Sequence, residues 1–193
     1  SAPHHWQDAS SGKAEWQGEA VILLDDLRAI CPITKKARLE TFVEPLNVAM
    51  QEFEINTPER EACFLAQVAH ESGAFNYVRE LASGEAYEGR EDLGNIRSGD
   101  GPLFRGRGLI QITGRSNYRQ CGDAFGIDLV GNPRLLEDAD LAARSAAWWW
   151  KEHGLNELAD KGDMKAITKR INGGLNGYGD RLVYWERAKE ALV

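Results

Sequence analysis

The feature that most constrains this chain is the stretch over residues 58–71, which is apolar on nearly every side. Thr57 can cap a helix at its start and Pro58 suits the first turn, so the sequence predicts a helix there. A helix without a broad polar face has to be surrounded by other elements. Further helices are predicted at residues 20–30, 35–53 (with a break at Pro45), 116–126, 138–153, 163–171 and 180–192. The sequence therefore predicts a mainly helical fold around residues 58–71.

Polar residues gather at the C-terminal end of this central helix. Gln67, His70 and Glu71 precede Gly73, where we expect the helix to end, and Glu80 follows soon after. A partly desolvated Glu keeps its proton near neutral pH and can act as a general acid, while a second carboxylate activates water. An unbroken helix would separate the two carboxylates by about 13.5 Å, so a chain reversal at Gly73 is needed. A structural role also fits, with Glu71 hydrogen-bonded to backbone and Glu80 solvated.

A second cluster lies in the glycine-rich residues 101–118. The alternation of apolar and polar residues before Gly114 would place Gln111 and Thr113 on one polar face of a short extended segment. Such groups can bind sugar hydroxyls or orient a water, and Tyr118 can stack on a pyranose face. The alternative is a surface loop that leads into a helix capped by Ser116.

Two further stretches lack a helical period. Residues 82–113 predict a long loop or a small sheet lobe beside the cleft, since long loops in compact domains are usually functional. Residues 1–19 predict an N-terminal extension or a remnant added for expression, which leaves residues 20–193 as a single domain. The run Trp148-Trp149-Trp150 is assigned to core packing and not to the site, because consecutive helical residues point about 100 degrees apart.

Four ordered motifs within roughly residues 20–193 resemble glycoside hydrolase family 19, the chitinase-like enzymes, and in particular its compact bacterial and phage cell-wall lysins. The motifs are Ala69-His70-Glu71-Ser72-Gly73 with Glu80, residues 87–95, residues 104–118, and Ile171-Asn172-Gly173-Gly174 with Arg181. The chain departs from the family pattern at Ala74, where a second glycine is usual. This departure affects the local turn and not the acidic residue.

The resemblance implies a lysozyme-like fold, with a helical core and some β structure beside the catalytic cleft, and a set of site residues. It implies that Glu71 is the general acid, that Glu80 is the general base and that Thr113 holds the attacking water. The substrate-binding residues that we expect are His70, Gln111, Asn117, Tyr118, Asn172 and Arg181, of which Asn172 and Arg181 are expected near Glu80. The implied reaction inverts the anomeric configuration without a covalent intermediate.

Composition excludes several classes of protein. A net charge of −7 over 193 residues argues against nucleic acid as a partner, because binding it needs a basic surface. Three cysteines at unrelated spacings fit a reduced compartment better than a disulfide framework. The position four after His70 is Ala74, which does not fit the zinc motif His-Glu-x-x-His, and we expect neither a metal nor another cofactor.

The same sequence carries expectations about location and assembly. No apolar run reaches the roughly 18 residues of a membrane span, and no signal peptide is recognised. We expect a monomer that is made in the cytoplasm of a bacterial host and acts on the cell wall, in the periplasm, after release or delivery.

Several functions remain open from the sequence. We favour an endo-acting hydrolase of the β-1,4 bonds of peptidoglycan, and a chitinase is the first alternative because chitin shares β-1,4-linked N-acetylated sugars. A lytic transglycosylase is a second alternative, since Glu71-Ser72-Gly73 and Gly108-Leu109-Ile110-Gln111 resemble motifs of that family. A non-catalytic glycan-binding domain is a third, and the presence of both carboxylates argues against it.

Overall fold

The computed structural model describes residues 7–8, 14–15 and 21–193, and these residues are mostly helical. The α-helices are α1 (Leu24–Ile30), α2 (Lys36–Glu52), α3 (Pro58–Glu71), α4 (Asp100–Leu103), α5 (Arg115–Phe125), α6 (Ala139–Glu152), α7 (Leu155–Asp160), α8 (Met164–Asn172) and α9 (Tyr178–Leu192). Short 3-10 helices lie at Glu85–Tyr87, Glu91–Leu93 and Pro133–Glu137. The strands β1 (Gln7–Asp8) and β2 (Ala14–Glu15) pair antiparallel, and the rest of the predicted extension over 1–19 lies outside the described residues. The prediction of a mainly helical chain is confirmed.

Helix α3 forms the centre of the core, as predicted. The Thr57 hydroxyl accepts a hydrogen bond from the Arg60 amide at 3.2 Å, and the helix runs from Pro58 to Glu71. Helix α9 packs along α3, and α2 packs against α6. The Phe64 ring meets the edge of the Trp150 ring of α6 with 5.3 Å between their centroids. Because α3 is enclosed in this way, only its ends can present polar groups to solvent.

Helix α2 runs through Pro45 without the predicted break. A proline in a helix removes one backbone hydrogen bond and costs about 3 kcal/mol. Fully buried side chains lie on both sides of it, with Leu39 and Phe42 before and Leu46 and Met50 after. Burial of each such side chain contributes about 1.5–3 kcal/mol, so packing keeps the helix continuous across the proline.

The region over 82–113 is a loop with short helical turns. Of the two predicted alternatives, a long loop or a small sheet lobe, the structure has the loop, because its residues take part only in isolated bridges that join Arg107 to Arg79 and to Ile112. Ion pairs and side-chain hydrogen bonds order it instead. Asp100 accepts two hydrogen bonds from the Arg115 guanidinium, at 2.8 and 2.9 Å, and this contact lowers the pKa of the buried Asp100. Fixed side-chain contacts therefore replace a strand ladder.

The three cysteines lie in the apolar core and form no disulfide bonds among the described residues. Cys31, Cys63 and Cys121 are free, buried thiols, and burial raises the pKa of each to about 12. Within the described residues, none of the helices combines the length and the apolar character that crossing a bilayer requires.

One buried carboxyl opposes folding at neutral pH. Glu61, in the first turn of α3, is 4% exposed. Burial raises the pKa of Glu61 from 4.5 to about 7, and the nearby charges of Asp26 and Glu59 add to the effect. Because the folded state binds this proton more tightly than the unfolded chain, stability falls as the pH rises from about 4.5 through about 7.

We expect Glu61→Gln to raise the free energy of unfolding at pH 8, by at most about 3 kcal/mol. Glutamine imitates the protonated carboxyl, so the gain shrinks as the pH falls toward 4. Urea unfolding of both proteins across this pH range measures it, with the exposed Glu190→Gln as control. A difference between Glu61→Gln and wild type that does not change with pH contradicts the assignment.

Candidate active site

The C-terminal end of α3 is held by two consecutive residues of α9. Glu71 Oε1 lies 2.7 Å from Arg181 Nη2, and His70 Nδ1 lies 2.6 Å from Asp180 Oδ2. The Glu71 side chain is 18% exposed and that of Arg181 is 1% exposed. The His70 ring occupies the space that a side chain at position 177 would need, and Gly177 supplies that space. Neighbouring residues on one helix thus pair with neighbouring residues on the other.

Arg181 has further partners that fix its guanidinium. Its Nη1 donates to Gln67 Oε1 at 2.6 Å, and its Nε donates to the Asn176 carbonyl at 3.3 Å. The Asn172 side-chain oxygen accepts from the Asn176 amide at 3.3 Å. Arg181 and Asn172 are therefore grouped with Glu71, the first carboxylate, whereas the sequence predicts them near Glu80. The reason is that α9 packs along α3 and delivers Arg181 to the end of that helix.

The chain reverses directly after Glu71, as the glycine there predicts. Gly73, Ala74 and Phe75 have φ angles of +58°, +58° and +67°, in the left-handed region that non-glycine residues avoid. The Ala74 carbonyl accepts from the Thr34 hydroxyl at 2.7 Å, and the Phe75 carbonyl accepts from Arg38 Nε at 2.7 Å. Tertiary contacts thus hold a strained turn. At the Ala74 position a glycine would adopt the same backbone angles with less steric strain.

Glu80 is fixed by the glycine-rich segment. Its amide donates to the Gly106 carbonyl at 2.9 Å, and its Oε1 accepts from the Gly106 amide at 2.6 Å. Its Oε2 accepts from the Tyr87 hydroxyl at 3.1 Å. Burial raises the pKa of Tyr87, and the Glu80 charge raises it further. Both carboxylate oxygens therefore accept hydrogen bonds from neutral donors, and these donors set the orientation of the carboxylate.

The polar residues of the glycine-rich segment meet in a tight turn. Gln111 has a φ of +66°, so the predicted extended segment is wrong. The Thr113 hydroxyl donates to the Gln111 carbonyl at 2.9 Å, and Asn117 Nδ2 donates to the Thr113 carbonyl at 2.7 Å. Helix α5 begins at Arg115 and is capped by Gly114, so Ser116 does not cap it. The turn still brings the three predicted polar side chains together, although by another geometry.

These three residues line a pocket of about 180 Å³. The full lining consists of Leu93, Ile110, Gln111, Ile112, Thr113, Asn117, Trp149 and Ile171. Ile171 precedes Asn172, so the end of α8 joins this pocket to the Glu71 group. The sequence predicts core packing for Trp149, yet Trp149 lines the pocket and its ring stacks on His153, whereas Trp150 is fully buried. Helical periodicity indicates that the three tryptophans point in different directions, but it does not indicate which of them faces the pocket.

Tyr118 lies behind the site and not in it. Its side chain is fully buried, its hydroxyl donates to the Arg105 carbonyl at 2.5 Å, and the hydroxyl oxygen accepts from Arg107 Nη1 at 3.0 Å. The Phe104 ring lies 5.2 Å from its ring in an edge-on contact. The expected stacking of Tyr118 on a sugar is therefore wrong, since neither face of the ring is open.

A larger surface cavity, of about 560 Å³, lies at the C-terminal end of α5. Its lining runs from Arg119 to Val130 and contains none of the predicted site residues. Asp128 in its wall already accepts a hydrogen bond from the Gly131 amide at 2.8 Å. We therefore place the candidate site at the smaller pocket, which is lined by Gln111, Thr113 and Asn117 and by Ile171 at the end of α8.

Comparisons with known proteins identify the family to which the chain belongs. The family model of glycoside hydrolase family 19, described as chitinase class I, matches residues 52–164. A Haemophilus influenzae protein described as glycosyl hydrolase family 19 domain-containing is 35% identical over 153 residues, which cover 63% of this chain and 74% of that protein. Chitinase 8 of Oryza sativa is 38% identical over 160 residues, or 68% of this chain and 59% of that enzyme. The chain thus belongs to glycoside hydrolase family 19, whose members are glycosidases.

Solved structures share the fold. Chitinase C of Streptomyces griseus superposes with a TM-score of 0.74 at 20% identity, over 95% of this chain and 81% of that one. The class IV chitinase of Zea mays gives a TM-score of 0.68 at 24% identity, over 90% and 94% of the two chains. The lysozyme-like, mainly helical fold is confirmed. Of the curated plant relatives, this chain spans 59% of the rice enzyme and 42% of maize endochitinase B.

We expect Ala74→Gly to stabilise the protein by about 0.5 kcal/mol. Release from the left-handed conformation is worth about 1–2 kcal/mol, and the greater freedom of glycine in the unfolded chain offsets roughly half. The matched control is Ala37→Gly on the exposed face of α2, which should lose about 1 kcal/mol. Urea unfolding at one pH compares the two variants, and similar losses in both would contradict the strained turn.

Proposed function

We propose that this chain hydrolyses β-1,4 bonds between N-acetylated sugars, and that its substrate is peptidoglycan. The observation that carries the proposal is the difference between its two carboxylates. Glu71 lies at the end of a buried helix against one guanidinium, whereas Glu80 accepts hydrogen bonds from an amide and a phenol. Two carboxylates in unlike surroundings suit an acid and a base acting on one bond.

In this proposal Glu71 donates a proton to the glycosidic oxygen as the bond to the anomeric carbon breaks. Arg181 Nη2 contacts Oε1, so Oε2 is the oxygen that is free to transfer the proton in this step. Glu80 removes a proton from a water, and the water oxygen attacks the anomeric carbon from the opposite face. The products are a reducing sugar with inverted anomeric configuration and an alcohol. Glu71 has lost one proton and Glu80 has gained one, so the total charge of the two carboxyls is unchanged.

The hydroxyl of Thr113 suits the binding of that water. Its proton is donated to the Gln111 carbonyl, so its lone pairs remain to accept a hydrogen bond from water. The amide groups of Gln111 and Asn117 donate to the carbonyls of Gly108 and Thr113, which leaves their side-chain oxygens to accept from sugar hydroxyls or acetamido N–H groups. The roles of Thr113, Gln111 and Asn117 are proposed on this hydrogen-bond accounting.

Peptidoglycan is favoured by the resemblance of the motifs to compact bacterial and phage wall lysins. Chitin is the second candidate, because relatives such as Chitinase 8 of Oryza sativa carry that activity in their names. A wall enzyme also fits the proposed location in the periplasm, and we propose that the protein acts as a monomer.

The test is mass spectrometry of the products from purified peptidoglycan and from chitin oligosaccharides. We expect soluble muropeptides with reducing ends from peptidoglycan, at a higher kcat/KM than the matching chitin oligomer. Anhydro-muramic ends would support the transglycosylase alternative instead. Faster cleavage of chitin would replace the proposed substrate, and binding without cleavage of either polymer would contradict the enzymatic proposal.

We expect Glu71→Gln and Glu80→Gln each to lower kcat by about 10² to 10⁴-fold, since that is the usual contribution of general acid or base catalysis. Glu80→Gln should unfold near the wild-type urea midpoint, whereas Glu71→Gln leaves the buried Arg181 without its carboxylate and should unfold at a lower urea concentration. The control is Glu91→Gln, an exposed carboxyl of the same loop region, which should retain full activity. Full activity of a folded Glu80→Gln protein would exclude the two-carboxylate mechanism.

A further inference from the structure

Gln67 is a fully buried amide one helical turn before Glu71. Its Oε1 accepts from Arg181 Nη1 at 2.6 Å, and its Nε2 donates to Thr168 Oγ1 at 3.1 Å. The side chain therefore connects α8 to the guanidinium that pairs with Glu71. A buried amide in an otherwise apolar helix is costly unless both of its ends are hydrogen-bonded.

The orientation of this amide is fixed by its neighbours. The Thr168 hydroxyl donates its one proton to the Met164 carbonyl at 2.8 Å, so it can only accept from Gln67. The Arg181 guanidinium can only donate. The NH₂ group of Gln67 must therefore face Thr168 and its oxygen must face Arg181. A flipped amide would put donor against donor at Arg181.

We propose that Gln67, oriented by Thr168, is a positioning residue for the Glu71–Arg181 ion pair. It contacts neither a substrate nor the reacting atoms. By accepting the Nη1 proton it holds the plane of the guanidinium, so that Nη2 is directed at Glu71 Oε1. The kinetic consequence of this role rests on the proposed function of Glu71.

The neutrality of Gln67 is part of the argument. A neutral acceptor satisfies Nη1 and leaves the charge of Arg181 to one carboxylate, that of Glu71. A glutamate at position 67 would present a second carboxylate to the same buried guanidinium and would compete for it. We therefore expect Gln67→Glu to lower kcat more than the neutral and similarly sized Gln67→Met.

The sharpest test uses Thr168, which is one step removed from the ion pair. Thr168→Val has the same shape but loses the hydroxyl that fixes the amide, whereas Thr168→Ser retains it. We expect Thr168→Val to lower kcat by about tenfold to a hundredfold, with KM changed less than about twofold, because misplacement of a catalytic group by about 1 Å has effects of this size. Thr168→Ser should restore most of kcat.

A control separates positioning from stability. Asn156 is 2% exposed, accepts from Trp150 Nε1 and donates to the Phe53 carbonyl, so Asn156→Leu removes a buried amide that has no contact with Arg181. It should lower the urea midpoint and leave kcat near wild type. If Asn156→Leu lowers kcat as much as Thr168→Val does, loss of stability explains both and the positioning role is wrong.

A second readout does not depend on catalysis. Hydrogen exchange of the Arg181 guanidinium protons, followed by NMR, should accelerate at least about tenfold in Thr168→Val and Gln67→Met and stay slow in Thr168→Ser. Exchange at the wild-type rate in all three variants would overturn the inference. If the wild-type protein cleaves no glycan, the proposed function fails while this exchange measurement still decides whether Gln67 holds Arg181.

Discussion

The ion pair between Glu71 and Arg181 is the contact on which the arrangement of the site depends. A guanidinium that is almost completely removed from water needs a carboxylate and further acceptors, because an unpaired buried charge costs several kcal/mol. Gln67 and the Asn176 carbonyl supply those acceptors. This requirement fixes how α9 packs along α3, and it places the polar end of an apolar helix at one defined point of the surface.

The second carboxylate depends on a different constraint, the reversal of the chain after α3. Three consecutive residues adopt left-handed backbone angles there, and such strain persists only where surrounding contacts over-determine it. Hydrogen bonds from Thr34 and Arg38 of the α1–α2 region, and the burial of Phe75, provide those contacts. The reversal leads the chain to Gly106. The Gly106 carbonyl accepts a hydrogen bond from the Glu80 amide, and the Gly106 amide donates one to the Glu80 carboxylate.

Particular elements show which inferences a sequence supports. Helix α3 and its cap were predictable because capping and apolar periodicity are local properties, and the family motifs located both carboxylates and the pocket residues Gln111, Thr113 and Asn117. The predicted break at Pro45 is wrong because the low helix propensity of proline is a local property, whereas the burial that stabilises α2 comes from tertiary packing. The predicted contact of Tyr118 with a sugar is wrong because the position of Tyr118 in a polar motif does not indicate which face of α5 is buried. The sequence could not predict that Trp149 lines the pocket or how the Gln67 amide is oriented, because residues distant in sequence determine both.

The sequence alone determined that this is a mainly helical protein around one buried helix, with the motifs of glycoside hydrolase family 19. These features are local or ordered along the chain, so they can be read without coordinates. The tertiary structure decided which charges meet. Arg181 pairs with Glu71 and not with Glu80, and Glu80 is held by a backbone amide and a phenol. Pairing of this kind follows from the packing of helices distant in sequence, and no spacing along the chain encodes it.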